Sequence, residues 1–103
     1  MNTILRTDVF DVWLTKLKDM HGKARILKRV RSAERGNFGD VESLGAGVRE
    51  MRIHTGPGYR VYFTRQADDV YVLLCGGSKR GQLKRYIQGP KTGSKSKRGM
   101  SYG

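Results

Sequence analysis

The chain of 103 residues has one cysteine, one tryptophan and only nine acidic residues against 21 lysines and arginines. A single cysteine excludes an internal disulfide and a cysteine-based zinc site. No apolar run approaches the ~18 residues that would suggest a membrane span. The opening, MNTILRTDVF, has no apolar signal-peptide core, because Arg6 and Asp8 interrupt it. With the lone thiol, this makes a reducing, cytoplasmic compartment the default expectation. No internal repeat is present.

Leu, Ile, Val and Phe number 23, all within residues 1–88, and the last fifteen residues have none. The chain is therefore expected to divide into one small domain over 1–88 and a polar, disordered tail over 89–103. The scarcity of acids leaves a net charge of +12. Eight of those charges are Lys79, Arg80, Lys84, Arg85, Lys91, Lys95, Lys97 and Arg98, in a stretch without an acid. A second block, residues 21–35, holds Lys23, Arg25, Lys28, Arg29, Arg31 and Arg35 against Glu34 alone. Two such blocks point to a polyanion, RNA or DNA, as partner. A solvated basic surface or an acidic protein partner is the blander alternative. A membrane surface fits less well, since no basic stretch carries a broad aromatic face.

Residues 2–6 read as a short first strand, with Thr7 or Asp8 as helix N-cap. Phe10, Trp13, Leu14 and Leu17 have the spacing of one helix face, and the helix should stop near Met20–Gly22. Residues 23–35 resume helical spacing, with Ile26, Leu27, Val30 and Ala33 inward. Residues 36–47 read as a glycine-rich loop. Three strands are predicted after it, over 48–54, 59–65 and 70–75, with turns at 55–58 and 66–69. Gly76-Gly77 should break the last strand, and 79–88 is a candidate short helix. The architecture expected is α+β: a first strand and a helical hairpin packed on a mainly antiparallel, twisted sheet.

Few residues suggest chemistry. His21 and His54 lie on different elements with no carboxylate cluster, so no metal or other cofactor is implied. Gly76-Gly77-Ser78-Lys79 lacks the spacing of a phosphate loop. Cys75 ends an apolar strand and reads as a small buried thiol. Strand alternation sends Met51, Ile53, Val61 and Phe63 to the helices and Arg52, His54, Arg60 and Tyr62 to the opposite face. Lys79, Arg80 and Tyr86 follow the last strand and are candidates to close over that face. Arginines grip phosphates in pairs of hydrogen bonds, and tyrosines stack on unpaired bases. The bland reading is an exposed polar sheet face.

The runs GNFGDVESLGAGVREMRIHTGPGYRVYF and VYVLLCGGSKRGQ resemble the RelE/ParE superfamily of bacterial toxins, with the HigB-like "addiction module killer" branch the closest match. The resemblance spans about residues 8–82. It implies the RelE-like fold and a type II toxin held in check by a cognate antitoxin, often a helix-turn-helix protein. It further implies a metal-independent mRNA interferase, active in the ribosomal A site. The chemistry is attack of a ribose 2′-OH on the adjacent phosphate, leaving a 2′,3′-cyclic phosphate and a free 5′-OH. On this resemblance Arg60 meets the scissile phosphate and Arg52 orients or stabilises it. Arg80 is the basic residue after the Gly-x-Lys, and Tyr86 stacks on the base or moves a proton. His54 is a candidate general acid or base; Glu50 is another, although a glutamate paired with an arginine is the simpler reading. Lys79, Tyr62, Lys84, Arg85, Lys23 and Lys28 are candidate RNA contacts.

The terminus departs from the HigB-like pattern. That branch continues Lys-x-x-Gln-x-x-Asp-Ile into an acidic, alanine-rich helix, whereas here Leu83-Lys84-Arg85-Tyr86-Ile87 precedes a glycine- and lysine-rich tail. Two other functions stay open: a ParE-like poison of DNA gyrase, and a non-catalytic RNA- or ribosome-binding protein.

Overall fold

The computed structural model describes residues 1–78 and Ile87. The helix predicted over 79–88, Ile87 aside, and the tail 89–103 lie outside the described residues. Seven elements follow in order: β1 (Thr3–Arg6), α1 (Asp8–Lys16), α2 (Met20–Glu34), β2 (Val41–Gly45), β3 (Val48–Ile53), β4 (Tyr59–Ala67) and β5 (Val70–Gly77). The strands form one sheet in the order β1-β5-β4-β3-β2. β1 runs parallel to β5, and every other pairing is antiparallel. The parallel pair is possible because both helices lie between β1 and the rest of the sheet in sequence. This is the expected α+β fold, with two helices on one face of a mixed sheet.

Thr7 turns the chain from β1 into α1. Its hydroxyl accepts from the Phe10 amide at 3.1 Å and donates to the Leu74 carbonyl at 2.7 Å, which ties the helix start to β5. Here α1 ends at Lys16, earlier than the expected stop near Met20–Gly22. Asp19 is what resets the boundary. Its carboxylate accepts from the Gly22 amide at 3.0 Å and so caps α2, which places Gly22 in the first turn of that helix. A Cβ on Gly22 would lie 2.6 Å from the Tyr59 ring. The glycine serves close approach rather than termination. α2 does end as expected at Gly36 (φ +95°), with Gly36 and Asn37 amides returning to the Ala33 and Ser32 carbonyls.

The glycine-rich segment was expected to be loop throughout. It contains β2, an edge strand whose only partly covered residue is Val41. β2 and β3 join through Ala46-Gly47, both with positive φ (52° and 80°), which is the two-residue hairpin geometry that matches strand twist.

One sheet face is apolar as the alternation predicts. Met51, Ile53, Tyr59, Val61, Phe63 and Leu73 meet Phe10, Leu14, Ile26, Val30 and Ala33 of the helices. Each large side chain so buried contributes about 1.5–3 kcal/mol. A bulge in β5 shifts the register: Phe63 pairs with Leu73, but Tyr62 pairs with Cys75. The extra residue, Leu74, carries Cys75 to the face opposite the helices and brings Gly76 beneath Trp13. Gly76-Gly77 therefore continues β5 instead of breaking it. Cys75 is buried, and desolvation pushes its thiol up to about 12, as befits an inert side chain.

A Cβ on Gly76 would sit 2.4 Å from Trp13 Cζ3. Gly76→Ala should therefore destabilise the fold by about 1–3 kcal/mol, the usual range for overpacking. Urea denaturation checks this, and an unchanged midpoint would contradict the Trp13 contact.

Candidate functional site

On the face opposite the helices, β3 and β4 place Glu50 beside Tyr62 and Arg52 beside Arg60 as cross-strand partners. Glu50 is the centre of this group and is only 4% exposed. Its Oε1 lies 3.1 Å from Arg52 Nε; its Oε2 lies 3.1 Å from Arg60 Nε and accepts from the Tyr62 hydroxyl, also at 3.1 Å. Like charges facing each other across strands are unfavourable. One buried carboxylate between the two guanidiniums removes that penalty, as a buried charge requires.

The Arg60 contact is an ion pair by distance, yet its geometry is poor for a hydrogen bond. Buried Arg60 Nε has no hydrogen-bond acceptor among the described residues. A buried donor left unmet costs about 1–3 kcal/mol. Arg60 also lines a groove of about 200 Å³ together with Arg52, His54 and Gly58.

Arg52 is engaged a second time. Its guanidinium pairs with Glu42 on β2, and its Nη1 is 3.9 Å from Asp40. Asp40 is further bound to His54, whose Nε2 lies 2.7 Å from Oδ2. That hydrogen bond, more than the nearby arginines, holds the Asp40 carboxyl below the usual carboxylate range. So three carboxylates attend two arginines, and the group formally carries no net positive charge.

The structure brings Arg52, Arg60, Tyr62 and His54 to one region, but on unequal terms. Arg52 and Arg60 are half-buried, and His54 is exposed just beyond β3. Tyr62 is buried, at 1% exposure, so its ring is not an open stacking platform. It pairs with Glu50 and Cys75 across the sheet, and its hydroxyl is spent on Glu50. Burial first, and the Glu50 hydrogen bond second, push the phenol up to about 12. Lys28 is exposed on α2, and Lys23 reaches the Thr15 carbonyl at 3.5 Å. Lys79, Arg80, Lys84, Arg85 and Tyr86 lie outside the described residues. Among the described residues, no three His, Cys, Asp or Glu side chains gather as a metal site.

Sequence reasoning saw Glu50 and its arginine pairing but not Asp40 or Glu42. The signal was present: Glu42 pairs with Glu50 once β2 is recognised as a strand. Arg29 was also taken only as surface charge. It donates to the Arg52 carbonyl at 2.6 Å and the Phe38 carbonyl at 2.7 Å, locking α2 to β3 behind the site.

A family model described as "Phage derived protein Gp49-like (DUF891)" matches residues 12–96. An uncharacterized protein of Haemophilus influenzae is 47% identical over 81 residues, covering 79% of this chain and 82% of that protein.

Two outcomes follow from the site's charges. Glu50→Gln keeps the shape but leaves Arg52 and Arg60 without their shared anion. It should cost about 2–3 kcal/mol, less than the ~3–5 of a fully buried pair, because Arg52 retains Glu42 and Asp40; chemical denaturation reads this, and a loss under 0.5 kcal/mol (about the error) would refute the central role. Alkaline pH is the second test. Tyr59 is also pushed up to about 12, chiefly by its hydrogen bond to Asp19. Both phenols hold their protons better folded than unfolded, where the value is about 10. Their contribution is complete below pH 10 and lost as pH rises from about 10 to 12. Absorbance titration should show two tyrosines ionising late, in step with unfolding.

Proposed function

The chain belongs to the Gp49-like family of phage-derived proteins, a family of RelE/ParE-like toxins of toxin–antitoxin systems, and from that premise we propose that it is an mRNA interferase. It cuts messenger bound in the ribosomal A site and is restrained by a cognate antitoxin, in the manner of the HigB-like branch. The observation that carries this reading is Arg60: a half-buried arginine held by Glu50 and lining a groove beside a second arginine.

A phosphodiester seated there would receive hydrogen bonds from Arg60 and Arg52. Attack of the ribose 2′-oxygen on phosphorus raises the charge on the non-bridging oxygens, and fixed guanidiniums stabilise that charge most strongly in the transition state. The new 2′-O–P bond closes the cyclic phosphate as the P–O5′ bond breaks; the 2′-proton passes to a base and the 5′-oxygen takes one up. Among the described residues His54 is best placed to carry a proton, being exposed and held by Asp40. Tyr62 keeps its own proton at neutral pH and fixes Glu50 in place. Tyr86 and Arg80 complete the site in this proposal.

A non-catalytic RNA- or ribosome-binding role draws on a different observation, the three carboxylates that already occupy Arg52 and Arg60. A gyrase-directed role has no such support in the site.

Primer extension on a reporter messenger in a translating extract separates these readings. Ribosome-dependent cuts within codons should fall about 10²–10³-fold with Arg60→Ala, the usual effect of removing one transition-state donor. Intact messenger with translation blocked would favour binding without cutting. Intact messenger with normal translation would redirect the search to gyrase.

A further inference from the structure

We propose that the groove between α2 and the β3–β4 turn is a second phosphate subsite, which holds the backbone of a single RNA strand next to the phosphate at Arg60. The groove encloses about 350 Å³ and is lined by Arg25, Lys28, Arg29, Ser32, His54 and Thr55 around Ile53. Ile53 and His54 also line the groove at Arg52 and Arg60. The two concavities are therefore neighbours, with His54 at the rim of both. The inference rests on the RNA-cutting reading above and extends it from one phosphate to a path.

Charge separates the two grooves. The arginines that line the first are ion-paired to three carboxylates, Asp40, Glu42 and Glu50. The second has three permanent cations and no acid in its lining, and no carboxylate lies within ion-pair distance of Arg25, Lys28 or Arg29 among the described residues. Arg25 and Lys28 are three residues apart on α2, so they project from one helix face. Arg25 Nε donates to Thr55 Oγ1 at 3.3 Å, which orients the guanidinium along the groove wall. Arg29 is fixed by two backbone carbonyls, and its buried Nε has no acceptor among the described residues.

The lining favours RNA over an acidic protein segment. Peptides that dock in grooves use apolar anchors at helical or alternate spacing, and here only Ile53 is apolar. Hydroxyls from Ser32 and Thr55 beside cations are the groups that position phosphates. A nucleic acid strand also delivers charges at a regular interval, one to each concavity.

The test is anisotropy of a labelled single-stranded RNA, 2′-O-methylated so that it cannot be cut, titrated with the full chain over a range of salt. Wild type is compared with Arg25→Ala/Lys28→Ala, and with Lys28→Ala alone should the double variant fold poorly. Loss of the one phosphate contact in this groove should lower the slope of log K against log salt by about 0.7 in the double variant. An unchanged slope and affinity overturns the subsite, as does the absence of RNA binding by wild type. A polyglutamate peptide is titrated in parallel. Dependence of the peptide, but not the RNA, on Arg25 and Lys28 overturns the proposal in favour of a protein partner. Primer extension keeps the two readings apart: cutting with an unchanged salt slope removes the subsite alone, and the expected slope change without cutting removes the interferase alone.

Discussion

Two arginines face each other across β3 and β4, and the carboxylate of Glu50 is what lets them do so. Without it, paired guanidiniums on adjacent strands would repel; without them, a glutamate at 4% exposure would be an uncompensated buried charge. Tyr62 satisfies part of the remaining acceptor capacity of Glu50, and in turn loses its freedom to ionise or to swing out. The group is a small network in which each member removes a cost that another would impose. Such an arrangement fixes the direction of both guanidiniums before any ligand arrives.

That network is possible because the same strands are strictly two-faced. Met51, Ile53, Val61 and Phe63 are absorbed by the helices, so the charged alternates are forced to the other side. β5 cannot follow the pattern for its whole length, because small residues are needed beneath Trp13. The bulge at Leu74 resolves this conflict, supplying Gly76 to the tryptophan and Cys75 to the Tyr62 side. Packing of α1 and the composition of the site face are thus set by one inserted residue.

The two helices, the three inner strands and the face shared by Arg52, Arg60 and Tyr62 were legible in the sequence because burial enforces period. β2 was not. VESLG buries almost nothing, so no alternation marks it, and its flanking glycines resemble loop chemistry. Missing β2 meant missing Asp40 and Glu42, and with them the near-neutrality of the site. Gly22 misled for a related reason: a glycine demanded by close approach to Tyr59 is indistinguishable, in one sequence, from a glycine that ends a helix. The buried state of Tyr62 was equally hidden, since alternation gives a residue's face but not what covers it.

The distribution of charge has a consequence for any anion that this chain binds. A net charge of +12 suggests a uniformly attractive surface, but the arginines at the centre are already compensated by Asp40, Glu42 and Glu50. At Arg60 the Nε is buried against the Glu50 carboxylate, so a phosphate there meets a fixed guanidinium whose charge is already partly compensated, and its binding is specific in geometry and weak in affinity. Attraction has to come from elsewhere, from cations without an ion-paired acid among the described residues, and Arg25 and Lys28 on α2 beside His54 are two of these. Separation of this kind is chemically useful. In the proposed interferase, binding energy taken up by remote phosphates would leave the compensated arginines free to respond to charge that develops during reaction, instead of holding the ground state too tightly.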